Sequence, residues 1–123
     1  MAIKKILVVD DEPAIYCYLE KKLSKLGYTV FTAGDGEAAV AQAFAQLPHV
    51  ILLDVKLPKL SGLEVLKRLK TDARTRSIPV LILSAKAQSK EIAAGLEAGA
   101  DKYLCKPLGF PDILREIQAV ETS

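Results

Sequence analysis

Short, nearly unbroken apolar runs punctuate this chain at Ile6 to Val9, Val30 to Thr32, Val50 to Leu53, Val80 to Leu83 and Tyr103 to Cys105. Runs this short, bounded by polar residues, predict strands. Between them apolar residues recur at helical spacing. Ile15, Leu19, Leu23 and Leu26 share one face, Leu63, Leu66 and Leu69 share another with Val65 beside them, and Ile113, Leu114, Ile117 and Val120 form a third. An alanine-rich segment, Glu37 to Ala45, and a shorter one, Lys90 to Glu97 with Ile92, Ala93 and Leu96 facing inward, complete the set. Gly27 and Gly99 suit left-handed helix ends, and Ser61 and Ser89 suit N-caps.

The first, third and fourth runs show no alternation of apolar and polar residues. That predicts strands buried on both faces, as in a parallel sheet covered by helices above and below. Alternating strands and helices with right-handed crossovers give one α/β domain over residues 1–123, a doubly wound sheet of five parallel strands with five helices. Such sheets bind ligands at the carboxyl edge of their strands. Asp10 and Asp11 follow the first strand, Asp54 the third, Ser84 the fourth and Lys106 the fifth, so a polar cluster assembles from distant segments.

Composition narrows the picture. At 123 residues, half of them hydrophobic and 26% charged, the chain has the balance of an ordinary globular domain. A formal charge of +2 with scattered lysines calls for neither a nucleic-acid nor a membrane surface. No apolar stretch reaches the roughly 18 residues of a membrane span, and the start is too short of apolar residues for a signal peptide, so a cytoplasmic location is expected. Cys17 and Cys105 lack the paired spacing of metal or redox motifs and read as buried, reduced thiols. His49 precedes the third strand, at the end of the sheet away from the cluster, and reads as a surface residue.

Several carboxylates at one edge repel one another by about 4 kcal/mol per pair at ~4 Å and an effective dielectric of about 20. Positive charge must therefore sit among them. An all-oxygen donor set with room for water suits Mg2+, and Lys106 supplies a second cation. A metal and a lysine beside one carboxylate neutralise charge on a phosphoryl group in transfer, which makes Asp54 a candidate nucleophile. The Ser84 hydroxyl is placed to hydrogen-bond a phosphoryl oxygen.

Four segments in order, LVVDDE at 7–12, LLDVKLPKLSG at 52–62, LILSA at 81–85 and GADKYLCKP at 99–107, resemble the response-regulator receiver domains of bacterial two-component systems, over nearly the whole chain. The resemblance implies a flavodoxin-like strand order 2-1-3-4-5. It implies Asp54 as phosphoacceptor, Mg2+ held by Asp11 and Asp54 with Asp10 assisting through water, and the Lys56 backbone carbonyl as a further ligand. Lys106 would hold a phosphoryl oxygen, Ser84 and Tyr103 would be the switch hydroxyl and aromatic, and a cis peptide would precede Pro107. The implied donor is the phosphohistidine of a partner histidine kinase or phosphotransfer protein. The output implied is a change of the fourth-helix, fifth-strand, fifth-helix face toward a downstream protein, ended by hydrolysis; the domain is a signalling module that assists its own phosphorylation, not an enzyme.

Two features are this chain's own. Lys56 and Lys86 each lie two residues beyond a cluster member, and their side chains are candidates for tuning attack by water. Asp101 is followed by Lys102 where receivers of winged-helix transcription factors carry an acidic pair, and Leu108 stands in place of their phenylalanine. That departure favours a stand-alone adaptor, monomeric when unphosphorylated, over a fragment of a longer transcriptional regulator. Two other functions fit less well. Gly34 to Ala39 matches a dinucleotide-binding glycine pattern, but Asp35 and Glu37 place negative charge where pyrophosphate would sit. A haloacid-dehalogenase-type phosphohydrolase needs a second aspartate where Lys56 stands.

Overall fold

The computed structural model of the chain describes residues 3–85, 88–106 and 108–122, so the predicted roles of Lys86 and Pro107 fall outside the described residues. Strand and helix alternate throughout: β1 (Lys5–Val9), α1 (Pro13–Lys25), β2 (Thr29–Ala33), α2 (Gly36–Gln46), β3 (Val50–Asp54), α3 (Gly62–Lys70), β4 (Val80–Ser84), α4 (Ser89–Glu97), β5 (Lys102–Cys105) and α5 (Phe110–Thr122). All strand pairs are parallel, in the order β2-β1-β3-β4-β5. The doubly wound architecture expected from the pattern and the strand order implied by the resemblance are both observed.

The unbroken runs are buried for the reason anticipated. Successive side chains point to opposite faces, and both faces are covered. Ile6, Val8, Val50, Leu52, Leu81 and Leu83 pack with Leu19 and Leu23 of α1 and Ile113 and Ile117 of α5. Leu7, Val9, Ile51, Leu53, Val80 and Ile82 pack on the other face with Ala39 and Ala43 of α2 and Val65, Leu66 and Leu69 of α3. Each fully buried aliphatic side chain stabilises the fold by roughly 1.5–3 kcal/mol relative to exposure. Two packed faces hold the central strands rigid, and the residues at their carboxyl ends inherit that rigidity.

Local details depart from the sequence pattern where the backbone itself makes the contact. Gly95 is the buried residue of α4, because a Cβ there would come within 2.9 Å of Ile82 and Tyr103. The helix backbone lies directly on the sheet, so Ala93 and Leu96, expected inside, are exposed. Leu26 is 55% exposed because it caps α1 and has left the helical face. Ser61 caps α3 by accepting the Glu64 N–H, whereas Ser89 is already inside α4 and Gln88 precedes it as the N-cap. Cys17 and Cys105, expected to be buried, are both exposed; one lies on the outer face of α1 and the other ends an edge strand.

Gly27 and Gly99 adopt φ of +98° and +112°, the left-handed geometry their positions require. Helix α2 ends without a glycine. Leu47 takes φ +46° there, and Pro48 follows. Asp35 caps the start of the same helix by accepting the Ala38 N–H at 2.8 Å. His49 lies at the amino end of the sheet, where its Nδ1 accepts the Lys4 and Lys5 N–H groups at 3.1 and 3.0 Å.

Candidate functional site

The carboxyl edge brings Asp10, Asp54 and Lys106 together. As the chain leaves β1, the Asp10 N–H donates to the Ala33 carbonyl at 3.1 Å, which holds the residue in line with the strand. Its carboxylate is buried, with Oδ1 accepting the Glu12 N–H and Oδ2 the Lys106 ammonium, each at 3.0 Å. Asp54 is the last residue of β3 and 9% exposed. Its Oδ1 accepts the Lys56 N–H at 3.2 Å, and its Oδ2 lies 3.8 Å from Lys106 Nζ. Lys106 is fixed from below by its own N–H, which donates to the Ser84 carbonyl at 2.7 Å.

One ammonium therefore spans two buried carboxylates across the strand ends. Burial raises the Asp54 pKa above the ordinary aspartate value; the Lys56 N–H and Lys106 pull it back, and the neighbouring Asp10 and Asp11 push it up again. A buried carboxylate held partly under-neutralised is poised to gain from an added cation.

Asp11 is exposed and lines a cavity of about 300 Å³ with Glu12, Asp54, Lys56, Ser84 and Lys106. Asp11, Asp54, Ser84 and Lys106 of the predicted cluster thus meet at one opening, and Asp10 joins them through its contact with Lys106. Glu12 is an addition, because carboxylate oxygens of Asp10, Asp11 and Glu12 lie within 4.8 Å of one another while Asp54 stands outside that group. The signal was present as a third acid in the run at 10–12. The donor set is all oxygen, partly open to solvent and beside a cavity with room for water, which fits a hard cation such as Mg2+. Tyr103 stands apart, with its ring against Gly95 and bordering a second cavity between α3 and α4.

The loop after β3 is clamped from two sides. A Cβ at Gly62 would meet the Asp54 carbonyl oxygen at 2.4 Å, and one at Gly36 would meet the Leu60 carbonyl oxygen at 2.0 Å. The Gly36 N–H donates to the Pro58 carbonyl at 3.3 Å, and Lys59, at φ +67°, reaches Asp35 at 3.7 Å. These contacts fix the path of the loop and with it the Lys56 amide that orients Asp54. They also occupy the turn at Gly34 to Ala39, where a dinucleotide would need open backbone.

The family model for the response regulator receiver domain matches residues 6–118. The alkaline phosphatase synthesis transcriptional regulatory protein PhoP of Bacillus subtilis is 44% identical over 117 residues, covering 95% of this chain and 48% of its own length. The chain spans about half the length of the curated relatives it matches, 48% for the first three. Among solved structures, the chemotaxis protein CheY4 of Vibrio cholerae superposes with a TM-score of 0.90 at 32% identity, covering 97% of this chain and 99% of that one. A sensor histidine kinase receiver domain from Pseudomonas aeruginosa, described with a magnesium ion coordinated in its active site cleft, superposes at 0.89 with 33% identity, covering 99% of this chain and all of that one.

Proposed function

This chain belongs to the response regulator receiver domains, and on that footing we propose that it accepts a phosphoryl group on Asp54 from a partner phosphohistidine and loses it by hydrolysis. The observation that carries the reading is the single Lys106 ammonium at 3.0 Å from Asp10 and 3.8 Å from Asp54, lining a cavity with room for a phosphoryl group.

Each residue has a derivable part. The Lys56 N–H holds Oδ1 of Asp54 and leaves Oδ2 facing Lys106 and the cavity. Oδ2 attacks phosphorus as the bond to the histidine nitrogen breaks, giving an acyl phosphate and free imidazole. Lys106 then turns from Asp54, whose charge has been capped, to a phosphoryl oxygen. Ser84 offers its hydroxyl to another. Asp11 and Asp54, with the Lys56 carbonyl, are the residues that would hold Mg2+, with Asp10 assisting through water and Glu12 placed to assist. When bound, Mg2+ neutralises charge on the phosphoryl oxygens during transfer. The Lys56 side chain, at the cavity rim, is assigned to the pace of attack by water. Ser84 and Tyr103 carry the change to the α4–β5–α5 face.

The test is incubation with Mg2+ and acetyl phosphate, followed by mass measurement of the intact chain. One added phosphoryl group, absent in Asp54→Asn, is expected; no addition to the parent chain would overturn the reading. For the output, Lys102 pairs with Glu116 at 3.3 Å on the exposed β5–α5 face, so that charge is satisfied within one molecule. This favours an adaptor that acts by protein contact as a monomer. The alternative is the receiver portion of a longer transcriptional regulator, which the partial coverage of relatives such as PhoP supports. Dimerisation on adding beryllium fluoride, measured by light scattering, would favour the alternative.

A further inference from the structure

Val55, Leu63, Lys90, Glu91, Ala94 and Tyr103 line a cavity of about 270 Å³ between α3 and α4. Its lining is mostly apolar, yet Oε2 of Glu91 is buried there without a hydrogen-bond partner among the described residues. A buried carboxylate oxygen left unsatisfied is costly and calls for a donor. Tyr103 shares the cavity wall, and its ring lies under α4 only because residue 95 is a glycine. A tyrosine hydroxyl is a donor of the right reach and chemistry, and a rotation of the ring carries it across this space.

We propose that Glu91 is a positioning residue of the switch: in the phosphorylated state its Oε2 accepts a hydrogen bond from the Tyr103 hydroxyl as the ring enters the α3–α4 cavity. The proposal rests on the reading of Ser84 and Tyr103 as the switch pair. It adds the group that fixes where the ring comes to rest. Glu91 lies in the first turn of α4, so the bond ties β5 to the start of that helix and couples the ring position to the helix end nearest the phosphoryl site.

The experiment follows Tyr103 by NMR in full chains carrying 13C-labelled tyrosine rings, with Mg2+ and beryllium fluoride as the phosphoryl mimic and Tyr103→Phe assigning the signals. In the parent the Tyr103 resonances shift on addition of the mimic. Glu91→Gln keeps an acceptor oxygen and retains the shift. Glu91→Leu lowers the ratio of shifted to unshifted Tyr103 by about tenfold, the least expected for losing a hydrogen bond to a charged group. In the Tyr103→Phe background, Glu91→Leu leaves the beryllium fluoride midpoint unchanged. Thermal melts without the mimic place Glu91→Leu at or above the parent, since the unpaired oxygen is gone, which separates the effect from unfolding. A Tyr103 ring that ignores the mimic in the parent would overturn the switch reading itself. A ring that responds equally in the parent and in Glu91→Leu would overturn the role of Glu91 alone.

Discussion

Replacing Lys106 with methionine tests whether the site is held by charge. The substitution keeps an unbranched apolar stem, and that stem already lines an apolar cavity with Ile15, Leu19 and Leu83, so packing is nearly conserved. The charge is lost. At an effective dielectric of about 20, unit charges attract by about 5.5 kcal/mol at the 3.0 Å of the Asp10 contact and by about 4.4 kcal/mol at the 3.8 Å of Asp54. These are gross values. The ammonium regains its hydration in the unfolded chain, and Asp54, with its pKa already raised, has the option of taking up a proton. With the lysine side chain 24% exposed, the net loss falls at the low end of the range for breaking a buried pair, about 3 kcal/mol. In a domain of this size that lowers the melting midpoint by roughly 10 °C in EDTA. Mg2+ should restore much of it, because a divalent cation supplies the missing counter-charge and binds the variant more tightly than the parent. The assay is urea unfolding of both proteins in EDTA and in saturating MgCl2. An equal deficit in both conditions would show that Lys106 contributes through packing and refute the electrostatic account.

Three further outcomes follow from the geometry. Asp54→Asn should stabilise the metal-free protein at neutral pH: the raised pKa means that Asp54 contributes stability below its unfolded pKa and loses it as pH rises through the folded value. The advantage of the variant should therefore shrink in denaturation curves taken at successively lower pH, and an advantage independent of pH would contradict the assignment. Gly36→Ala puts a Cβ 2.0 Å from the Leu60 carbonyl oxygen, so the loop must move; a loss of about 1–3 kcal/mol and weaker Mg2+ binding by calorimetry are expected, with unchanged Mg2+ affinity counting against the clamp. Leu47→Gly relieves a left-handed residue at the end of α2 and should gain roughly 0.5–1 kcal/mol in urea unfolding, since the strain removed exceeds the added chain entropy.

What was legible in the sequence was whatever burial writes into residue type. Val50 to Leu53 reads as a central strand because both of its faces are covered, and Asp54 is conspicuous as the carboxylate that ends it. The convergence of Asp10, Asp54 and Lys106 followed from topology alone, since parallel strands deliver their ends to one edge. Backbone contacts leave no such trace. Gly95 carries the approach of α4 to Tyr103, but a glycine is silent in a hydrophobic pattern, so Ala93 and Leu96 were placed inside instead. The left-handed end of α2 lacks the usual glycine, and Leu47 gave no warning. Glu12 carries no distinct signal, because an acid before a helix has an ordinary role at the positive end of the helix dipole whether or not it faces a cation.

The same contrast bears on the proposed switch. Central strands packed on both faces resist displacement, whereas the edge carrying β5 and α4 is held by a half-buried Tyr103, an exposed Cys105 and a helix seated on one glycine. Adding or removing a doubly charged group at Asp54 changes the local electrostatic energy by several kcal/mol at short range. That energy finds its easiest release where packing is thinnest, and β5 leads there directly, since Lys106 leaves its end and Tyr103 lies three residues before it. On the proposed function, the under-neutralised site and the loosely seated edge are two halves of one device: the acids would make the chain responsive to a cation and a phosphoryl group, and the glycine-seated helix would give that response somewhere to go.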